Sequence, residues 1–194
     1  MEEYSVMIGT EIPDISVKAF YNGSFSTVDL QTYRGKWLVL AFYPADFTFI
    51  CPTELSKLAD NYEEFKDLNT EVLSVSTDTG HTHKAWWDHS PSIKKIKFPM
   101  LADPAGRLCK AFGTYIYEGD DEGRSLRATM IIDPKGVLKA VDIHDNSIGR
   151  SVKEIMRKLK AAQYVYEHEG EVCPVEWEEG QATLRPGIDL VGKI

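Results

Sequence analysis

A cysteine followed directly by proline, Cys51-Pro52, is the pair in this sequence best suited to thiolate chemistry. Proline fits the first helical position, where its missing N–H is no loss, so Cys51 is predicted to be the N-cap with its sulfur facing free backbone N–H groups. Position alone does not ionise the thiol. A free cysteine has a pKa of about 8.5, and the helix dipole contributes about 0.3–1 kcal/mol where one pKa unit takes about 1.36 kcal/mol. A cation is needed as well, because a hydrogen bond to a charged group adds about 1.5–3 kcal/mol. Arg127, at the head of the strand-like run Arg127–Ile132, is the first candidate, and Arg150, at the start of the last predicted helix, is the second. The competing reading of either is a surface ion pair in an acidic protein. Thr48, three residues before the cysteine, either sets its hydroxyl against sulfur and substrate or is an ordinary turn threonine. Glu54, at the third helical position, suits a capping contact.

Glu54 also stands where a Cys-x-x-Cys oxidoreductase carries its second thiol, so a resolving thiol has to come from elsewhere. Cys173 is the natural choice, because Val172-Cys-Pro-Val-Glu176 echoes Ile50-Cys-Pro-Thr-Glu54. Cys109, inside the apolar pattern Leu108–Phe112, is expected to be a buried packing residue. An alternative of a different class is a metal site built from His81, His83, Asp78 and His89.

These residues must be held by a fold. Trp37–Tyr43 is a continuous apolar run that suits a strand buried on both faces. A helix is predicted from Pro52 to about Leu68 and a further strand over Val72–Val75, which together make a βαβ unit. There follow a helix near Thr82–Asp88, a strand at Phe98–Leu101, a short helix near Arg107–Phe112, and a hairpin of Arg127–Ile132 with Val137–Ile143 around Asp133-Pro-Lys-Gly136. A helix over about Arg150–Tyr166 closes the compact part. The predicted class is therefore α/β, a mixed central sheet flanked by helices. Its domain covers residues 1–166, and a C-terminal arm covers 167–194, lying over its own or a neighbouring subunit.

The net charge of −8 and the lack of any Lys/Arg-rich block argue against nucleic acid and against an anionic membrane surface as partners. Met1–Asp14 has acidic residues where a secretory leader is basic, and no stretch approaches a membrane span, so a cytosolic protein is expected. Three scattered cysteines are too few for a disulfide scaffold or a structural zinc site.

The segments Phe42–Leu55, Val75–Thr79, His83–Trp86, Arg127–Thr129, Gly170–Pro174 and Asp189–Ile194 resemble the typical two-cysteine peroxiredoxins, in particular their bacterial alkyl hydroperoxide reductase branch. The resemblance spans essentially the whole chain, and its most specific element is Pro44-x3-Thr48-x2-Cys51 accompanied by Arg127 and Val172-Cys-Pro. It implies a thioredoxin-like fold and a hydroperoxide substrate. Cys51 would be the peroxidatic cysteine shielded by Pro44; Thr48 and Arg127 would hold the peroxide, and Glu54 and Arg150 would orient Arg127. Cys173 of a partner subunit would be the resolving cysteine, with reduction by a flavoprotein disulfide reductase or by thioredoxin. Homodimers, and rings of five of them forming a decamer, are implied, and neither a metal nor a bound cofactor is required. Segments that accompany easy overoxidation elsewhere in the family, Gly-Gly-Leu-Gly and a C-terminal Tyr-Phe helix, correspond here to Ser90–Lys95 and an end at Ile194, so resistance to sulfinic acid is expected.

Overall fold

The apolar run Trp37–Phe42 is buried at all six positions and forms an inner strand of a seven-stranded sheet. The computed structural model describes residues 6–194; the first five, which begin the segment read above for a leader, lie outside the described residues. In chain order the elements are β1 (Ser16–Tyr21), β2 (Ser24–Asp29), β3 (Trp37–Phe42), α1 (Cys51–Asp60), α2 (Tyr62–Asp67), β4 (Thr70–Ser76), α3 (Gly80–His89), α4 (Pro91–Lys94), β5 (Met100–Ala102), α5 (Arg107–Ala111), β6 (Arg127–Ile132), β7 (Leu138–His144) and α6 (Val152–Glu167).

The strand order is β2-β1-β5-β4-β3-β6-β7. β3 and β4 are parallel, as the predicted βαβ unit requires, and β3 is antiparallel to β6. The sheet is thus mixed, in agreement with the expected class. Leu38, Leu40 and Phe42 of β3 pack in one buried cluster with Leu73, Val75, Ala128, Met130, Ile132 and Phe112. Such a cluster, contributed by neighbouring strands and a helix, is what ties the sheet to its cover.

Two differences from expectation have local causes. The single helix predicted over Pro52–Leu68 is broken at Asn61, which has φ −106° and ψ 9°. Its side-chain amide donates to the Lys57 carbonyl at 2.7 Å, a local bond that competes with the helical ladder. The hairpin of β1 and β2 lies outside the predicted elements. It turns on Asn22-Gly23, both with positive φ (48° and 77°), the conformation a two-residue hairpin loop demands. The predicted β6–β7 hairpin forms, with Asp133 Oδ1 accepting from the amides of Lys135 and Val137 at 2.9 Å each.

The chain divides into two compact units, the first ending at Val152 and the second covering Lys153–Ile194. Within the second unit the arm folds back on α6: Arg157 donates to the Trp177 carbonyl at 3.0 Å, Tyr164 packs against the Trp177 ring, and Val172 pairs with Leu184 in a β-bridge. Along α6, Val152, Ile155, Met156 and Leu159 are buried, whereas Tyr166 is exposed. No helix among the described residues is long and apolar enough to cross a membrane.

Candidate active site

β3 leads into the loop Tyr43–Ile50, which ends at Cys51. The loop is braced from beneath. Tyr43 N–H donates to the Val75 carbonyl at 2.9 Å, and its hydroxyl donates to Asp46 Oδ1 at 2.7 Å. Asp46 Oδ2 lies 2.8 Å from His83 Nδ1, whose Nε2 faces the Leu101 carbonyl at 3.2 Å. With an acceptor at each ring nitrogen, the doubly protonated imidazolium satisfies both contacts. Burial pushes the His83 pKa down, but Asp46 and the Leu101 carbonyl outweigh it and raise the value. The backbone amide of Asp46 donates to Asp78 Oδ2 at 2.8 Å. These ties hold Phe47 at φ 54°, a left-handed conformation that a bulky side chain adopts only when its surroundings impose it. Pro44 is buried in the same loop.

Cys51 is fully buried and is the first residue of α1, not its N-cap as predicted; Ile50 takes the cap position. The reason lies in Ile50, whose helical dihedrals let its carbonyl accept from Thr53 N–H at 2.9 Å and Glu54 N–H at 3.2 Å. Pro52 consequently stands second in the helix, still within the turn that can spare its N–H.

Arg127 Nη1 donates to Cys51 Sγ at 3.4 Å and to Glu54 Oε2 at 2.8 Å, and its Nε donates to the Asn146 carbonyl at 2.9 Å. Arg150 grips the same carboxylate from its backbone amide at 2.7 Å, from Nε at 3.0 Å and from Nη2 at 2.9 Å, while its Nη1 donates to the Ala128 carbonyl at 2.7 Å. Burial alone would raise the Glu54 pKa; the Arg150 bonds and charge, reinforced by Arg127, overcome this and hold it below the ordinary carboxylate range. Glu54 therefore receives the two arginines in place of the capping contact expected from the sequence. All three side chains are buried, and two guanidinium groups against one carboxylate leave one positive charge unmatched beside the sulfur. The Cys51 sulfur lies against that surplus charge, within hydrogen-bond reach of Arg127 Nη1.

Thr48 sits in the same loop, and its hydroxyl donates to the Ala45 carbonyl at 2.9 Å, a turn contact; no hydrogen bond from it to sulfur occurs among the described residues. Its oxygen lone pairs remain available to accept a proton from a bound ligand. The structure thus brings Cys51, Glu54, Arg127 and Arg150 together in the first unit, with Pro44 and Thr48 in the loop that leads to Cys51.

Cys173 lies in the second unit, half-buried, with its thiol 3.8 Å from the Ala161 carbonyl. Burial, aided by Glu171, raises its pKa against the opposing pull of Arg157. Cys109 is buried as expected, and burial with Asp103 pushes its thiol up to about 12. The proposed metal ligands do not assemble: His83 is committed to Asp46, and no group of three metal-ligating side chains forms among the described residues.

Sequence reasoning missed two contributors. The Asn146 carbonyl that fixes Arg127 Nε is a backbone group, and residue type carries no signal for it. The Asp46–His83 brace is the other: His83 enters the sequence reading as a possible metal ligand and within the His83–Trp86 segment of the resemblance, and neither pairs it with Asp46.

Known proteins share this sequence and this fold. Residues 8–141 match the family described as AhpC/TSA. The chain is 50% identical over 188 residues to alkyl hydroperoxide reductase C of Pseudomonas aeruginosa, covering 97% of this chain and 99% of that protein. Among solved structures it is similar to Enterococcus faecalis AhpC, with a TM-score of 0.82 and 43% identity, covering 87% of this chain and 99% of that one. It is also similar to the reduced 2-Cys peroxiredoxin of Plasmodium vivax, with a TM-score of 0.84 and 35% identity over 94% of each chain. The fold is that of these peroxiredoxins, thioredoxin-like, and the chain belongs to the AhpC/TSA family.

Proposed function

We propose that this chain is a thiol-dependent peroxidase that reduces hydrogen peroxide and organic hydroperoxides to water or alcohols. The observation that carries the reading is the placement of Arg127 between Cys51 Sγ and Glu54, with Arg150 securing the carboxylate. One guanidinium then serves both the thiolate and the charge that develops on the departing oxygen, the preorganised stabilisation that lowers such barriers. The Cys51 thiolate attacks one peroxide oxygen, the O–O bond breaks, and the alkoxide or hydroxide leaves with a proton as alcohol or water. Cys51 becomes sulfenic acid. Thr48 accepts from the peroxide hydroxyl, and Pro44 shields the sulfur from bulk water.

Cys173 of a partner subunit resolves this acid: a Cys173–Cys51 S–S bond forms, the Cys51 S–O bond breaks, and water departs with the Cys173 proton. An external dithiol donor, a flavoprotein disulfide reductase first and thioredoxin second, reduces the disulfide by exchange. Because Cys51 is buried within α1, the first turn, Cys51 to Glu54, unwinds to release it. The working form is a homodimer assembling into a decamer in the cytoplasm, with residues 1–166 as the peroxidase domain and 167–194 as the arm that delivers Cys173.

The test is peroxide consumption with each candidate reductant. Cys51→Ser is expected to abolish it, and Cys173→Ser to leave a single equivalent consumed without turnover with these donors. Undiminished consumption by Cys51→Ser sinks the assignment.

A further inference from the structure

The second unit holds an acidic side chain that the reaction above does not use. Glu171, two residues before Cys173, is only 16% exposed and accepts from three side chains at once. Tyr164 of α6 donates its hydroxyl to Oε2 at 2.8 Å, the Thr183 hydroxyl donates to the same oxygen, and Arg185 reaches Oε1 through Nη2 at 3.1 Å and Nε at 3.3 Å. The backbone between these contacts is also closed: Val172 and Leu184 exchange two N–H···O bonds, at 2.9 and 3.1 Å. Cys173 emerges from this closure with its thiol turned to the Ala161 carbonyl of α6. The cysteine that has to travel is thus fastened on both sides of its approach, and Glu171 is the residue where the fastenings converge.

We propose that Glu171 is a positioning residue for the resolving step: its carboxylate clasps the Cys173 segment to α6 and to Thr183–Arg185, and release of that clasp limits how fast Cys173 meets the Cys51 sulfenic acid. The inference rests on Cys173 being the resolving thiol. Local opening precedes any rearrangement of a folded segment, so each bond that must break lowers the population able to react. The charge works in the same direction. Burial and then Glu171 raise the Cys173 pKa while Arg157 opposes them, and only the thiolate attacks sulfur. Glu171 itself is held down to about 2, chiefly by Thr183 and then by Tyr164 and Arg185, so it carries its charge across the working range.

Two substitutions separate clasp from charge. Arg185→Ala loosens the clasp and keeps the Glu171 charge; Glu171→Gln weakens the clasp and removes the charge. Rapid-quench mass spectrometry gives the rate of Cys51–Cys173 disulfide formation, with Cys51 oxidation in the same samples as reference. Loss of one or two ordinary hydrogen bonds corresponds to resolution faster by about threefold to tenfold relative to that reference, in both variants. Sulfinic acid, which forms when a second peroxide arrives first, should then need proportionately more peroxide to accumulate. Only Glu171→Gln should also move the pH midpoint of resolution downward, a change that a merely structural role would not cause. Resolution at or below the wild-type rate in both variants, with circular dichroism unchanged, overturns the proposal. Peptide mapping that finds no Cys51–Cys173 disulfide in the wild type overturns the reading beneath it as well, so the two failures are distinct.

Discussion

Replacing Glu54 by glutamine removes the one carboxylate that two buried guanidinium groups share. The side chains of Glu54, Arg127 and Arg150 are 4%, 4% and 3% exposed, so water cannot take over the lost charge. Breaking a buried ion pair by removing one partner costs about 3–5 kcal/mol. For a chain of this size each kcal/mol moves Tm by about 2–4 °C, which places the expected loss at about 6–20 °C. The pH dependence has a definite sign. Because the folded pKa of Glu54 is depressed, its stabilisation is complete above the unfolded carboxyl value of about 4.3 and disappears as pH falls through the lower folded value. The gap between wild type and Glu54→Gln should therefore be widest near neutrality and shrink steadily in acid. Calorimetric unfolding from pH 7 down to pH 3 measures it. A loss below about 2 °C at neutral pH, or a gap that does not narrow in acid, refutes the assignment of Glu54 as the shared counter-charge.

Three further outcomes follow from the same geometry. Arg127→Ala should slow the reaction of Cys51 with peroxide about tenfold to hundredfold, the value of one hydrogen bond to a charged group, in stopped-flow tryptophan fluorescence; Arg127→Lys should recover only part, since an ammonium does not span sulfur, Glu54 and the Asn146 carbonyl together. Cys109, with its thiol at about 12, should resist a thiol reagent in the native protein, react once the chain is denatured, and be replaceable by alanine without slowing peroxide turnover. Hydrogen exchange at Thr53 and Glu54 should be faster in the disulfide form than in the reduced form; equal protection in both contradicts the unwinding of the first turn.

The elements nearest the chemistry were the most legible in the sequence. β3 announces itself because six apolar residues in a row suit only a strand covered on both faces, and the β6–β7 hairpin because Asp133-Pro-Lys-Gly136 punctuates two such runs. β1 and β2 escaped notice because their outer positions are polar or exposed, with β2 exposed at its first four residues, so periodicity is weak there; only Asn22-Gly23 marked the turn. Residue identities at the site were readable, and their partnerships only in part. Nothing in the spacing of Glu54, Arg127 and Arg150, separated by 73 and 96 positions from Glu54, shows that one carboxylate serves both arginines. That depends on β6 running antiparallel to β3, which returns its first residue to the end where β3 delivers the cysteine loop.

The β3–β6 register has a further consequence. Phe42 faces Ala128 and Leu40 faces Met130 across this pair, and Arg127 is the next residue beyond that pairing. A slip of one residue would carry Arg127 about 3.3 Å along the strand and turn its side chain to the opposite side of the sheet. The interlocking of Leu40, Phe42, Ala128 and Met130 therefore acts as a gauge that sets the reach of the guanidinium to sulfur. Substitutions in this greasy seam, far from any titrating group, belong among the variants to examine for lost peroxide reactivity, even where the protein remains folded and abundant.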